Sequence, residues 1–416
     1  MTRSFFLSFL ALALTLALAD AADWPRFRGP NGTGAVEGTL PDIDPAAPLW
    51  KTPLPGKGVS SPIIVGGKVY LQTASADGKT RSLLCLSAAD GKTEWTKELP
   101  GDKAKGKTDP HAKNSLASGT PACDGTHIYC SWWDGSAVTL GAHDLTGKQV
   151  WQASLGSYVS QHGPGFSPML HDGLVYVNVD DDQRAELVAF DAKTGEKKWI
   201  AERKHVRACY ATPFLLERPG KAAELILGTT TAITSYDPPT GKVNWNFPVV
   251  FPQGVKTLRV IGHPAFAAGM LVLYSGDGDG SRYMQAVSVA GAEPAKAWEL
   301  RRDTPYVPCL LVKGDRLFWI GDKGIATYAE AKSGKTVWTG QVFTTSDVTA
   351  SPVLVGDQVL MVSEKGQVAV VKLGEKFEEP ELVSLGEKAK VYASPAVADG
   401  RVFIRTETHL FCFGKK

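Results

Sequence analysis

His111 and His162 can exchange protons near neutral pH, and each stands in polar company. His111 is followed by Lys113 and Asn114, and His162 is preceded by Ser160 and Gln161. Two further groups have the same character, Arg207 with Tyr210 and Asp303 with Tyr306. Mixed polar and aromatic sets of this kind suit recognition, because aromatic rings and arginine commonly anchor interfaces. The competing reading is that these side chains hydrogen-bond loop backbone.

Two acidic runs could hold a cation. Ser275-Gly276-Asp277-Gly278-Asp279-Gly280 has the look of a calcium loop opening, but its twelfth position is Ala286 where an acidic ligand is required. Asp180-Asp181-Asp182 occupies the equivalent place in its own stretch, and both runs read as solvated turns. No metal is expected. The six cysteines are Cys85, Cys123, Cys130, Cys209, Cys309 and Cys412. Cys85 and Cys412 fall where Ala142, Ala189, Ser235 and Thr327 stand elsewhere, a slot for a small buried side chain, so they read as unpaired thiols. Cys123 and Cys130 flank a turn unevenly and should not face each other. Trp132, Trp133 and Trp319 would serve as sugar platforms if exposed, and as core if not.

What would position these groups is a repeat. Residue-Pro steps recur at Ser61-Pro62, Thr120-Pro121, Ser167-Pro168, Thr212-Pro213, His263-Pro264, Val307-Pro308, Ser351-Pro352 and Ser394-Pro395. Successive prolines lie 59, 47, 45, 51, 44, 44 and 43 residues apart, close to the length of one propeller blade. After each proline come a short apolar run, a tight turn such as Asp172-Gly173, a β-rich strand such as 174–177, and a third strand such as 187–190. Gly91, Gly147, Gly195, Gly241 and Gly334 stand four residues before Trp95, Trp151, Trp199, Trp245 and Trp338. Trp298 keeps its place without the glycine, and the seventh unit has Leu382 or Val383 there.

Four short strands per unit predict meander sheets that must pack side by side, so the fold class is an all-β, eight-bladed β-propeller of four-stranded antiparallel blades. The eighth unit, 394–413, stops short of a fourth strand. Residues 49–54, with Trp50, supply one at the other end of the chain, and pairing the two would close the ring. The propeller is assigned to 48–416, preceded by an extension at 22–47. The polar groups above fall in the connections between blades, which share one face and converge on the central channel. His111, Asn114, Gln161, His162, Arg207, Tyr210 and Tyr306 are accordingly the predicted ligand-binding residues.

Composition narrows the class. Lys+Arg 45 against Asp+Glu 43 gives no basic excess, which argues against nucleic acid as a partner. Residues 1–21 have Arg3, an apolar run from 5 to 18 and small-x-small steps ending at Ala19 and Ala21, the pattern of a signal peptide. The mature chain is therefore expected outside the cytoplasm, monomeric and without a membrane anchor.

The stretch 189–199, Ala-Phe-Asp-Ala-Lys-Thr-Gly-Glu-Lys-Lys-Trp, resembles the tryptophan-docking repeat of quinoprotein-type propellers, with further copies at 142–151 and 235–245. That family includes dehydrogenases using pyrroloquinoline quinone, a non-enzymatic outer-membrane assembly lipoprotein and many exported proteins of unassigned role. Residues 24–32, Trp-Pro-Arg-Phe-Arg-Gly-Pro-Asn-Gly, look like the start of the last group. The chain lacks the adjacent cysteine pair that such dehydrogenases place over the quinone, the C-x-x-C-H of a haem domain, and a cysteine near residue 21 to carry a lipid. The expected function is a non-catalytic exported propeller binding a protein or another ligand on its channel face. Pyrroloquinoline quinone and calcium enter only under the alternative, a quinone-dependent oxidoreductase.

Overall fold

The computed structural model describes residues 23–101, 110–204, 206–386 and 390–415, so the leader read at 1–21 lies outside the described residues. Within them the strands form eight sheets, seven of four strands and one of five. Each is a meander with strands paired antiparallel in chain order, except where the termini meet and where one N-terminal strand joins. The blades cover 63–98, 122–157, 169–202, 214–248, 265–300, 311–341, 353–384 and 396–414. In seven of them the first strand begins directly after the proline, and in the sixth it begins three residues later at Leu311. The proline fits there because its missing N–H would precede the ladder.

The middle strands are apolar on both faces because a neighbouring blade covers each. Arg81–Ser87 is buried along most of its length, while Thr93–Glu98 at the rim is largely exposed. The turns between the first two strands follow from their residue types: Asp172 and Gly173 both take positive φ, 46° and 74°, as a two-residue hairpin turn requires.

The rim tryptophans link blade to blade. The Trp151 indole donates to the Ala192 carbonyl at 2.9 Å, in the last turn of the next blade, and lies against Gly195. A Cβ on Gly195 would fall 2.5 Å from the Trp151 ring, so only glycine fits. Trp95 meets the turn at Leu145 and Gly147, Trp199 that at Pro238 and Gly241, and Trp298 that at Ala331 and Gly334. The fifth blade has no glycine at this place, and Trp245, which should dock there, donates instead to Glu224 of its own blade at 2.7 Å. The ring closes as the sequence requires: Trp50–Pro53 pairs antiparallel with His409–Gly414, and Trp50 docks on Ala88 and Gly91 of the first blade.

Each tryptophan sits opposite a small residue of the third strand: Cys85, Ala142, Ala189, Ser235, Ala286 and Cys412. The sixth blade departs from expectation, since Tyr328 rather than Thr327 faces Trp338. A tyrosine fits because its ring tilts beneath the indole, 5.6 Å between centroids, with Arg316 over it. All six cysteines are buried and unpaired.

Candidate functional site

The inner strands carry a belt of hydroxyls supplied by the residue-Pro steps. The Cys309 N–H donates to Ser351 Oγ, Ser351 to Ser394, Ser394 to Ser61, Ser61 to Thr120 and Thr120 to Ser167, each at 3.0 Å. The bond from Ser394 to Ser61 crosses the seam between the last blade and the first. Below the belt, on the far side from the blade connections, residues 24–36 lie across the axis. Trp24 pairs with Ile64 of the first blade, the Pro25 carbonyl accepts from Cys123 of the second, and Asn31 exchanges two bonds with Leu215 of the fourth. Arg28, 1% exposed, donates to the carbonyls of Gly32, Thr33, Leu310 and Pro352, joining the sixth and seventh blades. Ala35–Val36 then runs parallel to Leu354 and Val355 as the fifth strand of the seventh sheet. The extension thus makes a floor, and Phe27 is its face toward the interior. Above it opens a cavity of about 950 Å³, lined by Phe27, the hydroxyl belt and the blade connections.

Six of the seven predicted ligand residues line this cup: His111, Asn114, Gln161, His162, Tyr210 and Tyr306. Arg207 stands behind the lining, donating to the Thr257 carbonyl at 2.8 Å and to Asp277 at 2.6 Å. Not all six are free to bind. Asn114 gives its amide to the carbonyls of His162 and Pro164, at 2.7 and 3.2 Å, and clamps two connections together. The Tyr210 hydroxyl shares a 2.8 Å bond with Ser160. The His111 and His162 rings lie 4.4 Å apart, and His162 Nδ1 is buried without a partner. Burial, helped by Arg259, His111 and Arg207, pushes the His162 pKa down to about 4, so it is neutral at pH 7. Lys113 reaches across the mouth to Asp347 at 3.1 Å and Glu364 at 2.9 Å.

Sequence reasoning missed Arg259, Lys256 and Phe27. Arg259 lies in the connection between the fourth and fifth blades, within an apolar stretch, Leu258-Arg259-Val260, that reads as strand. A usable signal was present: Tyr210, Arg259 and Tyr306 each stand within five residues before a blade proline.

One open alternative is decided and two expectations are corrected. Trp132, Trp133 and Trp319 are 3%, 5% and 1% exposed and belong to the core, so they offer no sugar platform. Asp180 and Asp181 are not solvated: Asp180 is buried against Arg203, and Asp181 accepts the N–H groups of Gln183 and Arg184. The loop at 275–280 is filled by basic partners, with Asp277 on Arg207 and Lys256, and Asp279 on Lys256 at 2.8 Å. Strongly favourable hydrogen bonds from these cations hold the Asp277 carboxyl far below the usual range despite its burial.

The model of the family described as outer membrane protein assembly factor BamB matches residues 33–114, 102–339 and 218–416, which is nearly the whole propeller. The chain belongs to this family. It is 25% identical over 315 residues to the outer membrane protein assembly factor BamB of Burkholderia pseudomallei, covering 74% of this chain and 72% of that one. The Bordetella pertussis factor of the same name is 26% identical over 323 residues, covering 74% and 71%. BamB of Moraxella catarrhalis shares the fold with a TM-score of 0.60 at 13% identity, over 91% of this chain and 98% of that chain. A quinohemoprotein alcohol dehydrogenase of Comamonas testosteroni does so at 0.64 and 14%, over 95% and 81%. Both likenesses are of fold, which hosts unrelated functions.

Proposed function

We propose that this protein is an exported, periplasmic, non-catalytic propeller that captures polypeptide at the mouth of its cup during outer-membrane protein assembly. The observation that carries the reading is the cup itself: one mouth, a floor made by the chain's own extension, and a wall of aromatic and polar connection residues. Its family membership supports the process. The dehydrogenase alternative is disfavoured by the donor set. A quinone's calcium needs convergent oxygen ligands. Here Asp277 and Asp279 already carry Arg207 and Lys256, and among the described residues no three His, Cys, Asp or Glu side chains converge.

The test uses a purified outer-membrane β-barrel protein, fluorescently labelled and diluted from urea into the mature chain. Anisotropy should rise saturably, and replacing Gln161 at the mouth by a bulky Trp should weaken the response about tenfold, roughly 1.4 kcal/mol. No saturable binding, or reduction of a dye by alcohols after loading with quinone and calcium, would overturn the reading.

A further inference from the structure

We propose that Arg259 is the centre of an anion receptor inside the cup, completed by His162, Tyr210 and Tyr306, and that it takes the carboxylate of a peptide ligand. The carrier, but not the receptor, rests on the polypeptide reading above.

Arg259 is 6% exposed and lines the cup. Its guanidinium has five N–H donors. The ion-pair partner it faces is Asp277, at 3.7 Å, the outer limit of such a contact, and its Nε is buried with no partner at all. Asp277 cannot neutralise it, because the same carboxylate is held closely by Arg207 at 2.6 Å and Lys256 at 2.9 Å. Three cations therefore share Asp277 and Asp279. Asp182, the next carboxylate to act on His162 and Tyr210, is exposed and screened by solvent. A buried guanidinium whose Nε–H is left without a partner is costly unless something satisfies it. Arg28, by contrast, spends its donors on four backbone carbonyls.

The neighbours fit an anion. His162 presents a buried ring nitrogen without a partner. Tyr306 approaches Arg259 closely enough for the guanidinium to oppose the burial that raises the phenol's pKa. A planar fork of N–H donors matches a carboxylate in two bonds. The floor at Phe27 means that a chain entering the cup must end or turn there. Phe27, Tyr210, Tyr306 and Ile261 offer apolar surface beside the charge.

The experiment titrates the intact mature chain by calorimetry with three small probes. Hippurate carries an aromatic ring and a chain-end carboxylate, hippuramide is its neutral counterpart, and the α-amide of N-acetylglutamate carries a side-chain carboxylate. Hippurate should bind at least tenfold more tightly than hippuramide. Arg259→Gln should abolish the difference, and Arg259→Lys, which keeps the charge without the fork, should keep part of it. Preference for hippurate over the glutamate probe assigns a chain terminus as the source, and the reverse assigns an acidic side chain. Equal binding of hippurate and hippuramide to the unmodified chain overturns the proposal, as does a preference that survives Arg259→Gln. If hippurate binds through Arg259 while the unfolded barrel protein does not bind, the receptor stands and the polypeptide reading falls. If the barrel protein binds and hippurate shows no preference, the receptor falls alone.

Discussion

At the scale of single residues, burial decides which polar groups remain available. The chemistry-bearing types were legible in the sequence, but their state was not. His162 and Asn114 read alike as polar loop residues. In the fold, Asn114 clamps two loops and His162 keeps a ring nitrogen unpaired. The aspartates at 180–182 read as solvated because nothing in their sequence names Arg203, a partner two strands away in the sheet. Three histidines follow one rule. Burial is the leading cause that lowers His143 and His162 to about 4 and His263 to about 3. Their unfolded pKa is near 6.5. A depressed histidine is neutral in the fold, while the unfolded chain takes up protons between pH 6.5 and 4, so stability is full above that window and lost as pH falls through it. The melting temperature should therefore drop by several degrees from pH 7 to 4.5, and His143→Gln should flatten the drop. A curve unchanged across that range would contradict the burial of these rings. The cysteines give a second check at this scale: thiol counting in denaturant without reductant should find Cys85 and Cys412 free, and a mass difference placing either in a disulfide would count against the packing described here.

At the scale of elements, the repeat carried most of the information. The proline spacing set the blade count, and the Gly-x-x-x-Trp unit marked both partners of a contact between neighbouring blades, though the sequence alone does not say that glycine and tryptophan of adjacent units meet. The fifth blade shows the consequence of losing one partner, with Trp245 turning back to Glu224. Gly195→Ala should be costly, because φ is +73° and the new methyl would fall 2.5 Å from Trp151. A loss on the order of 3 kcal/mol is expected from strain and overpacking together. Gly291→Ala, in the blade that offers no docking site and with its nearest neighbour at 3.6 Å, should change stability by less than about 0.5 kcal/mol. Equal effects of the two substitutions in denaturant melts would refute the docking argument. The closing strand makes a related prediction. Removing the residues through Leu54 strips Trp50–Pro53 from His409–Gly414 and bares a sheet edge, so the sharp unfolding transition should broaden or vanish.

At the scale of the whole molecule, what the sequence could not reveal is the floor. Residues 24–36 have no repeat character, and their contacts are to blades one, two, four, six and seven, spread over most of the chain. Such long-range placement leaves no local pattern to read. Yet it converts a channel into a cup, and so decides how a ligand can enter. The convergence of the blade connections was legible from blade order alone, while Arg259 was hidden in an apolar run. The central claim, that polypeptide is taken at this mouth, is tested most directly by a photo-crosslinking amino acid placed in turn at Gln161, exposed on the cup's wall, and at Val243, 56% exposed on an outer strand. Illuminated with the unfolded barrel protein, the chain should crosslink strongly from position 161 and little or not at all from 243; crosslinking from 243 with none from 161 would contradict it.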